Sequence, residues 1–173
     1  MPKYVLAVLA AAGLLALPLF AAAEATDRLI EKYTPLAGST ESSKSLVTGL
    51  RDGTEVKLSS SVKFTPPTRK MGNGNVDIAL ALAQASLKEQ GITSPTPEQL
   101  QTALIGDAGS PGILEQRADG KGWGQIAQSL GFRLGEVMRS AKADRPEGVA
   151  SRVDKPERPM RPERPEKPER HGR

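Results

Sequence analysis

The chain has 173 residues with no cysteine, one histidine, 3% aromatic and 25% charged side chains, and a net charge of +4. The lack of cysteine excludes disulfides, thiol nucleophiles, thiolate metal sites and a lipid-modified cysteine anchor. The lone histidine, His171, lies in a polar terminal stretch, which removes most acid–base and metal-binding arrangements that work near neutral pH.

The first 25 residues form a recognisable unit. Lys3 precedes an apolar run, Val5 to Phe20, which is followed by Ala21-Ala22-Ala23-Glu24-Ala25. A basic start, a short apolar stretch and an A-x-A site make a secretory signal peptide, with cleavage after Ala23 or Ala25. The run is shorter than the roughly 20 apolar residues a spanning helix prefers, and Pro18 interrupts it. The expected location is therefore periplasmic or secreted, with no stable membrane anchor after cleavage.

Residues 26–142 are long enough for one small, mainly α domain with a minor β-hairpin, and its core must be built from Leu, Ile, Val and Ala. Thr26 or Asp27 is expected to cap a short helix that Pro35 and Gly38 end. A serine-rich loop, Ser39 to Ser43, then leads into a helix carrying Leu46, Val47 and Leu50, with a stop at Asp52-Gly53. Val56 and Leu58 alternate with polar residues before Ser59 to Ser61, and Val62 and Phe64 do so after it, which predicts a hairpin packed on the helices.

Asn75 to Gln90 has the clearest helical spacing, through Val76, Ile78, Ala79, Leu82, Ala83 and Leu87, and Gly91 ends it. Thr96-Pro97-Glu98-Gln99 opens the next helix as a capping box with proline at the first helical position, and Gly106 stops it. A loop, Asp107 to Gly112, separates it from helical pieces at Ile113 to Ala118, Gly124 to Leu130 and Leu134 to Lys142.

Residues 143–173 form a separate, disordered tail. From Lys155 the chain runs in triplets such as Lys-Pro-Glu and Arg-Pro-Glu, a period that matches polyproline II. With few apolar side chains it cannot join a core and is expected to be solvated, reaching about 50 Å at ~3.1 Å per residue.

One phrase occurs twice, at 69–82 and 117–130, offset by 48 residues. The copies are Arg69-x-x-Gly72-x-Gly74-x-x-x-Ile78-Ala79-x-x-Leu82 and Arg117-x-x-Gly120-x-Gly122-x-x-x-Ile126-Ala127-x-x-Leu130. The simplest reading is a duplicated loop–helix unit packed against its own copy. Neither copy carries the Lys-Ser or Lys-Thr of a P-loop, and no calcium-loop spacing surrounds Asp119-Gly120, so the glycines read as structural turns.

Gln125 to Val137 also resembles a helix-turn-helix, with Ala127 at the helix crossing, Gly131 in the turn and Val137 facing inward. Its second helix carries Gly135 and Glu136, which suit a structural hairpin better than a DNA reader. The small excess of Lys and Arg over Asp and Glu, 24 to 20, is spread along the chain, so no nucleic-acid partner is expected.

Phe64-Thr65-Pro66-Pro67-Thr68, residues 72–83, Thr96-Pro97-Glu98-Gln99-Leu100 and Gly122-Trp123-Gly124-Gln125-Ile126-Ala127 resemble an uncharacterised family of small exported proteobacterial proteins. That resemblance has no assigned activity behind it. It implies export and the limits of the folded region, and carries no functional residue across.

The function expected is therefore non-enzymatic: contact with an envelope protein or a cell-wall component through the helical domain and the charged tail. Trp123 and the tail residues Arg158, Arg161 and Arg164 are the candidate interaction residues; no catalytic, cofactor-binding or metal-ligating residue stands out. The alternatives are a helix-turn-helix regulator, if the N-terminal segment is no signal, and last a carboxylate-dependent hydrolase.

Overall fold

Glycines and prolines divide the chain into helices, several of them short, packed around a central helix that is buried on several sides. The computed structural model describes residues 17–143, with side chains from residue 23. Helices α1 (Leu17–Ala37) and α2 (Thr40–Asp52) come first, followed by a hairpin of β1 (Val56–Lys57) and β2 (Lys63–Phe64). The central α3 (Asn73–Glu89) follows, then α4 (Pro97–Ile105) and a second small hairpin, β3 (Gly106–Asp107) and β4 (Ser110–Pro111). Three short helices close the described chain: α5 (Ile113–Ala118), α6 (Trp123–Ser129) and α7 (Leu134–Ala143). The expected mainly α domain with a minor hairpin is what forms.

Helix α3 explains the architecture. Val76, Ala79, Leu80, Ala81, Leu82, Ala83 and Leu87 are all buried, so its apolar surface runs most of the way round. A helix of that kind must be covered on several sides, and α1, α2, α4, α5 and α7 all pack on it. The expected single stripe was too narrow: Ile78 is only half-buried, while Leu80 and Ala81 are inside. The core is aliphatic as composition requires, with Tyr33 and Phe64 its only buried aromatic rings among the described residues.

Several local expectations hold because their causes are local. Val56 pairs with Phe64 and Lys57 with Lys63, antiparallel, and Val56, Leu58, Val62 and Phe64 all face the core. Thr96 Oγ1 accepts from Gln99 N at 3.3 Å and Gln99 Oε1 accepts from Thr96 N at 2.9 Å, completing the capping box of α4. Gly53 ends α2 with a left-handed φ of +69°, and its N–H bonds to the Gly49 carbonyl.

Three expectations need correction. Thr26 caps nothing: α1 runs from Leu17 across the expected domain boundary to Ala37, because the alanines and Glu24 favour helix and no breaker intervenes between Pro18 and Pro35. Pro35 is carried within the last turn, and Gly38, at φ +80°, ends the helix. The serine stretch is no loop: Ser39 caps α2 by accepting from Ser42 N at 3.1 Å, and the following serines are helical. Finally, Asp107 to Gly112 is a tight hairpin. Asp107 Oδ1 accepts from the N–H groups of Gly109 at 2.9 Å and Ser110 at 3.0 Å, and Gly106 pairs with Pro111.

The expected signal segment lies partly in residues 1–16, outside the described residues, as does the tail from 144 on. Among the described residues no helix is long and apolar enough to cross a membrane.

Candidate functional site

Two irregular segments, each leading into a helix, face one another at one end of α3. The first is Pro67 to Met71, between β2 and α3. Met71 is buried and its N–H donates to the Arg51 carbonyl at 3.0 Å, which ties this strip to the end of α2. Gly53 lies against this strip and turns the chain at φ +69°, a conformation that favours glycine. Arg69 and Lys70 are left pointing to solvent.

The second segment joins α5 to α6. Gly120, at φ +88°, turns the chain, and Lys121 N donates back to the Gln116 carbonyl at 3.2 Å. Arg117 Nη1 donates to the Lys121 carbonyl at 2.8 Å. Gln125 Oε1 then accepts from Gly122 N at 2.8 Å and starts α6.

Between them lies an open cleft of about 610 Å³, walled by Pro67 to Met71 and Asn75 on one side and by Arg117, Ala118 and Gly120 on the other. Arg69, Lys70 and Arg117 bring three positive charges to it, and no Asp or Glu lines it. Thr68 Oγ1, on the same wall, is buried without a hydrogen-bond partner. Folding thus brings Arg117 beside the Arg69–Lys70 pair. Residues 69–70 and 117 are remote in the chain, so charge counts along it could not reveal the patch.

Trp123 belongs to this site. It is the first residue of α6, half-buried; its Nε1–H donates to Asn75 Oδ1 at 3.0 Å, and the Arg117 guanidinium lies 4.9 Å from the ring centroid. The ring is both packed against the core and stacked on a cation. Arg158, Arg161 and Arg164, the other candidate interaction residues, lie outside the described residues.

The expected packing of the two copies' helices on each other does not form, since α3 and α6 are not a packed pair; the two phrases meet only at this cleft. Arg69 and Arg117 open the two copies and both line it, and Asn75 and Trp123, equivalent positions 48 residues apart, are hydrogen-bonded to each other. The copies are not conformational duplicates. Gly72 caps α3 but Gly122, not its counterpart Gly120, caps α6, and only Gly120 of the four repeat glycines has positive φ.

The sequence did not single out two polar clusters that fix the cleft's supports. Tyr33 Oη donates to Asp77 Oδ1 at 2.6 Å, and Lys32 Nζ reaches the same oxygen at 2.6 Å, joining α1 to α3. Thr26, 5% exposed, accepts from Arg51 Nη1 at 3.0 Å and from Asn73 Nδ2 at 3.2 Å, joining α1, α2 and α3. Arg51 also holds Asp52 through two bonds of 3.0 Å. That hydrogen bonding depresses the Asp52 carboxyl below its usual range, the opposite of what a general acid needs.

The α6–turn–α7 segment has the shape its sequence suggests: Gly131 turns at φ +84°, and Ala127 and Val137 are buried. On α7 and its approach, however, Arg133 lies 3.9 Å from Glu136 and Arg139 Nε donates to the Gly135 carbonyl at 3.0 Å, so both arginines are locally engaged. Among the described residues no group of three or more His, Cys, Asp or Glu is placed to hold a metal. No protein-family model, curated protein or solved structure matches the chain.

Proposed function

We propose that this is an exported, non-enzymatic protein of the periplasm or cell envelope that acts by binding a partner through the Arg69–Lys70–Arg117 cleft. The observation that carries the binding half is the cleft itself: three cations from separate segments, no lining acid, and the chain's single tryptophan fixed at its rim. Arginine and tryptophan are the residue types most enriched among energetic anchors of interfaces. Export rests on Lys3, the apolar run Val5 to Phe20 and the alanine series.

The repeat is part of this reading. The paired phrases bring the two equivalent arginines to one place, while Ala79 and Ala127 are buried in the common core and their helices, α3 and α6, do not pack on each other. The proline-rich tail serves as a solvated, charged extension that adds weak contacts to envelope material.

Fractionation of the native host combined with capture from envelope extract tests the reading. The protein should sit in the periplasmic or secreted fraction, and Arg69→Ala with Arg117→Ala should abolish capture. A second reading, a DNA-binding regulator, is favoured only by the geometry of α6, the Gly131 turn and α7. Cytoplasmic protein that shifts DNA fragments in a mobility assay would establish it instead.

A further inference from the structure

We infer that the cleft between the 67–71 strip and the α5–α6 connection binds a phosphate group. This rests on reading the cleft as the binding surface and adds the chemistry of what enters it.

Charge comes first. Arg69, Lys70 and Arg117 line the cleft with no lining carboxylate to neutralise them. Asp52, whose carboxyl feels the Lys70 charge, is already gripped twice by Arg51 at 3.0 Å. A group of one unit negative charge leaves most of this field unanswered. A phosphate monoester brings about 1.5 to 2 negative charges at pH 7 together with three acceptor oxygens.

Geometry comes second. The guanidinium fork matches phosphate oxygens two at a time, whereas an ammonium acts as a point charge. Arg117 is already oriented: one N–H is tied to the Lys121 carbonyl at 2.8 Å, and its plane lies by Trp123 at 4.9 Å. That preorganisation reduces the side-chain entropy lost on binding. Arg69 and Lys70 on the facing strip approach from the other side, and the backbone there is pinned through Met71 to α2.

The third observation is the Thr68 hydroxyl. Buried polar atoms nearly always find a partner, yet Thr68 Oγ1 is buried with none, on a residue that lines the cleft. The hydroxyl is enclosed as it stands, so it reaches a phosphate oxygen only by rotating about χ1 toward the cleft, and no existing hydrogen bond resists that turn. The lining residues that carry the proposal are therefore Thr68, Arg69, Lys70 and Arg117, with Asn75 held aside by Trp123.

The single tryptophan makes the cleft directly observable. The full-length processed protein is titrated at constant ionic strength with inorganic phosphate, with glycerol 3-phosphate and with glucuronate, following Trp123 fluorescence. Saturable changes with either phosphate compound, weakened about tenfold by Arg69→Ala or by Lys70→Ala, are expected. Neither substitution touches the ring, and circular dichroism melts check that both variants fold. Response to inorganic phosphate alone identifies the free ion, and tighter binding of glycerol 3-phosphate identifies a phosphate ester; both support the proposal. An equal response to glucuronate, or a change that chloride reproduces or the variants leave intact, overturns it. Envelope capture that still depends on Arg69 while phosphate fails to bind overturns the phosphate assignment and leaves the binding reading standing.

Discussion

Tyr33 shows how much one buried side chain can fix in a small aliphatic domain. Its ring is fully buried, and its hydroxyl donates to Asp77 at 2.6 Å while Lys32 approaches the same carboxylate oxygen at 2.6 Å. Burial, reinforced by the hydrogen bond to Asp77, pushes the phenol far above its ordinary pKa, so the folded state keeps it protonated. The raised pKa means that this contribution is intact below about pH 10 and is lost as pH rises above it, because the unfolded chain releases the proton first. Tyr33→Phe should therefore lower unfolding free energy by about 1–3 kcal/mol at pH 7 by leaving Asp77 short of a donor. Urea titrations of both forms between pH 7 and 11 should show the gap narrowing above pH 10, and a constant gap would contradict the account. None of this was legible in the sequence. Tyr33 stood in a correctly placed helix, but its partner lies 44 residues away, and no local rule connects them.

Elements were legible where their determinants are close in sequence and obscure where a neighbour supplies them. Thr96, Pro97 and Gln99 specify a helix start by themselves, and the alternation around Ser59 to Ser61 specifies a hairpin. The serines before Leu46 misled because their hydroxyls have two uses. Ser42 Oγ donates to the Leu58 carbonyl at 2.8 Å and Ser43 Oγ to the Ile30 carbonyl at 2.7 Å, so they stitch α2 to the hairpin and to α1 instead of forming a loop. The cleft was half legible. The repeat offset pointed at Arg69 and Arg117 as equivalents, but only the fold sets them face to face. Ala79 and Ala127 are both fully buried in the core. Ala79→Leu and Ala127→Leu should each overpack the core and lower stability by about 1–3 kcal/mol. Gly112→Ala should be at least as damaging, since its Cβ would fall on the backbone of Ile105 and Gly106 beneath the second hairpin. Chemical denaturation measures all three, and unchanged midpoints for both alanine variants would contradict their close packing in the core.

At the scale of the molecule, the core ends before the tail begins. Ala141 is the last buried residue among those described, and it packs within the cluster that α3 organises. Deleting residues 144–173 should accordingly leave the melting temperature nearly unchanged. Because exposed charge pairs contribute only about 0–1 kcal/mol each, the same deletion should reduce retention on envelope material at low salt and make no difference at high salt. Equal retention at low ionic strength would make the tail a passive extension.

At the other end of the domain, the proposed leader has two candidate cleavage sites, and the fold distinguishes them. Cleavage after Ala25 would leave a free ammonium on Thr26, a residue 5% exposed whose hydroxyl accepts from Arg51 and Asn73. A new positive charge at the positive end of α1, on a residue bonded to a guanidinium, works against the joint that holds α1, α2 and α3 together. Cleavage after Ala23 begins the chain at Glu24, which is exposed and paired with Arg28 one turn on. Its carboxylate offsets the new ammonium and suits the helix N-terminus. Intact mass of the protein recovered from its native host should therefore correspond to a chain beginning at Glu24. A start at Thr26 would mean that the Thr26 joint tolerates the charge, and a mass beginning at Met1 would end the case for export altogether.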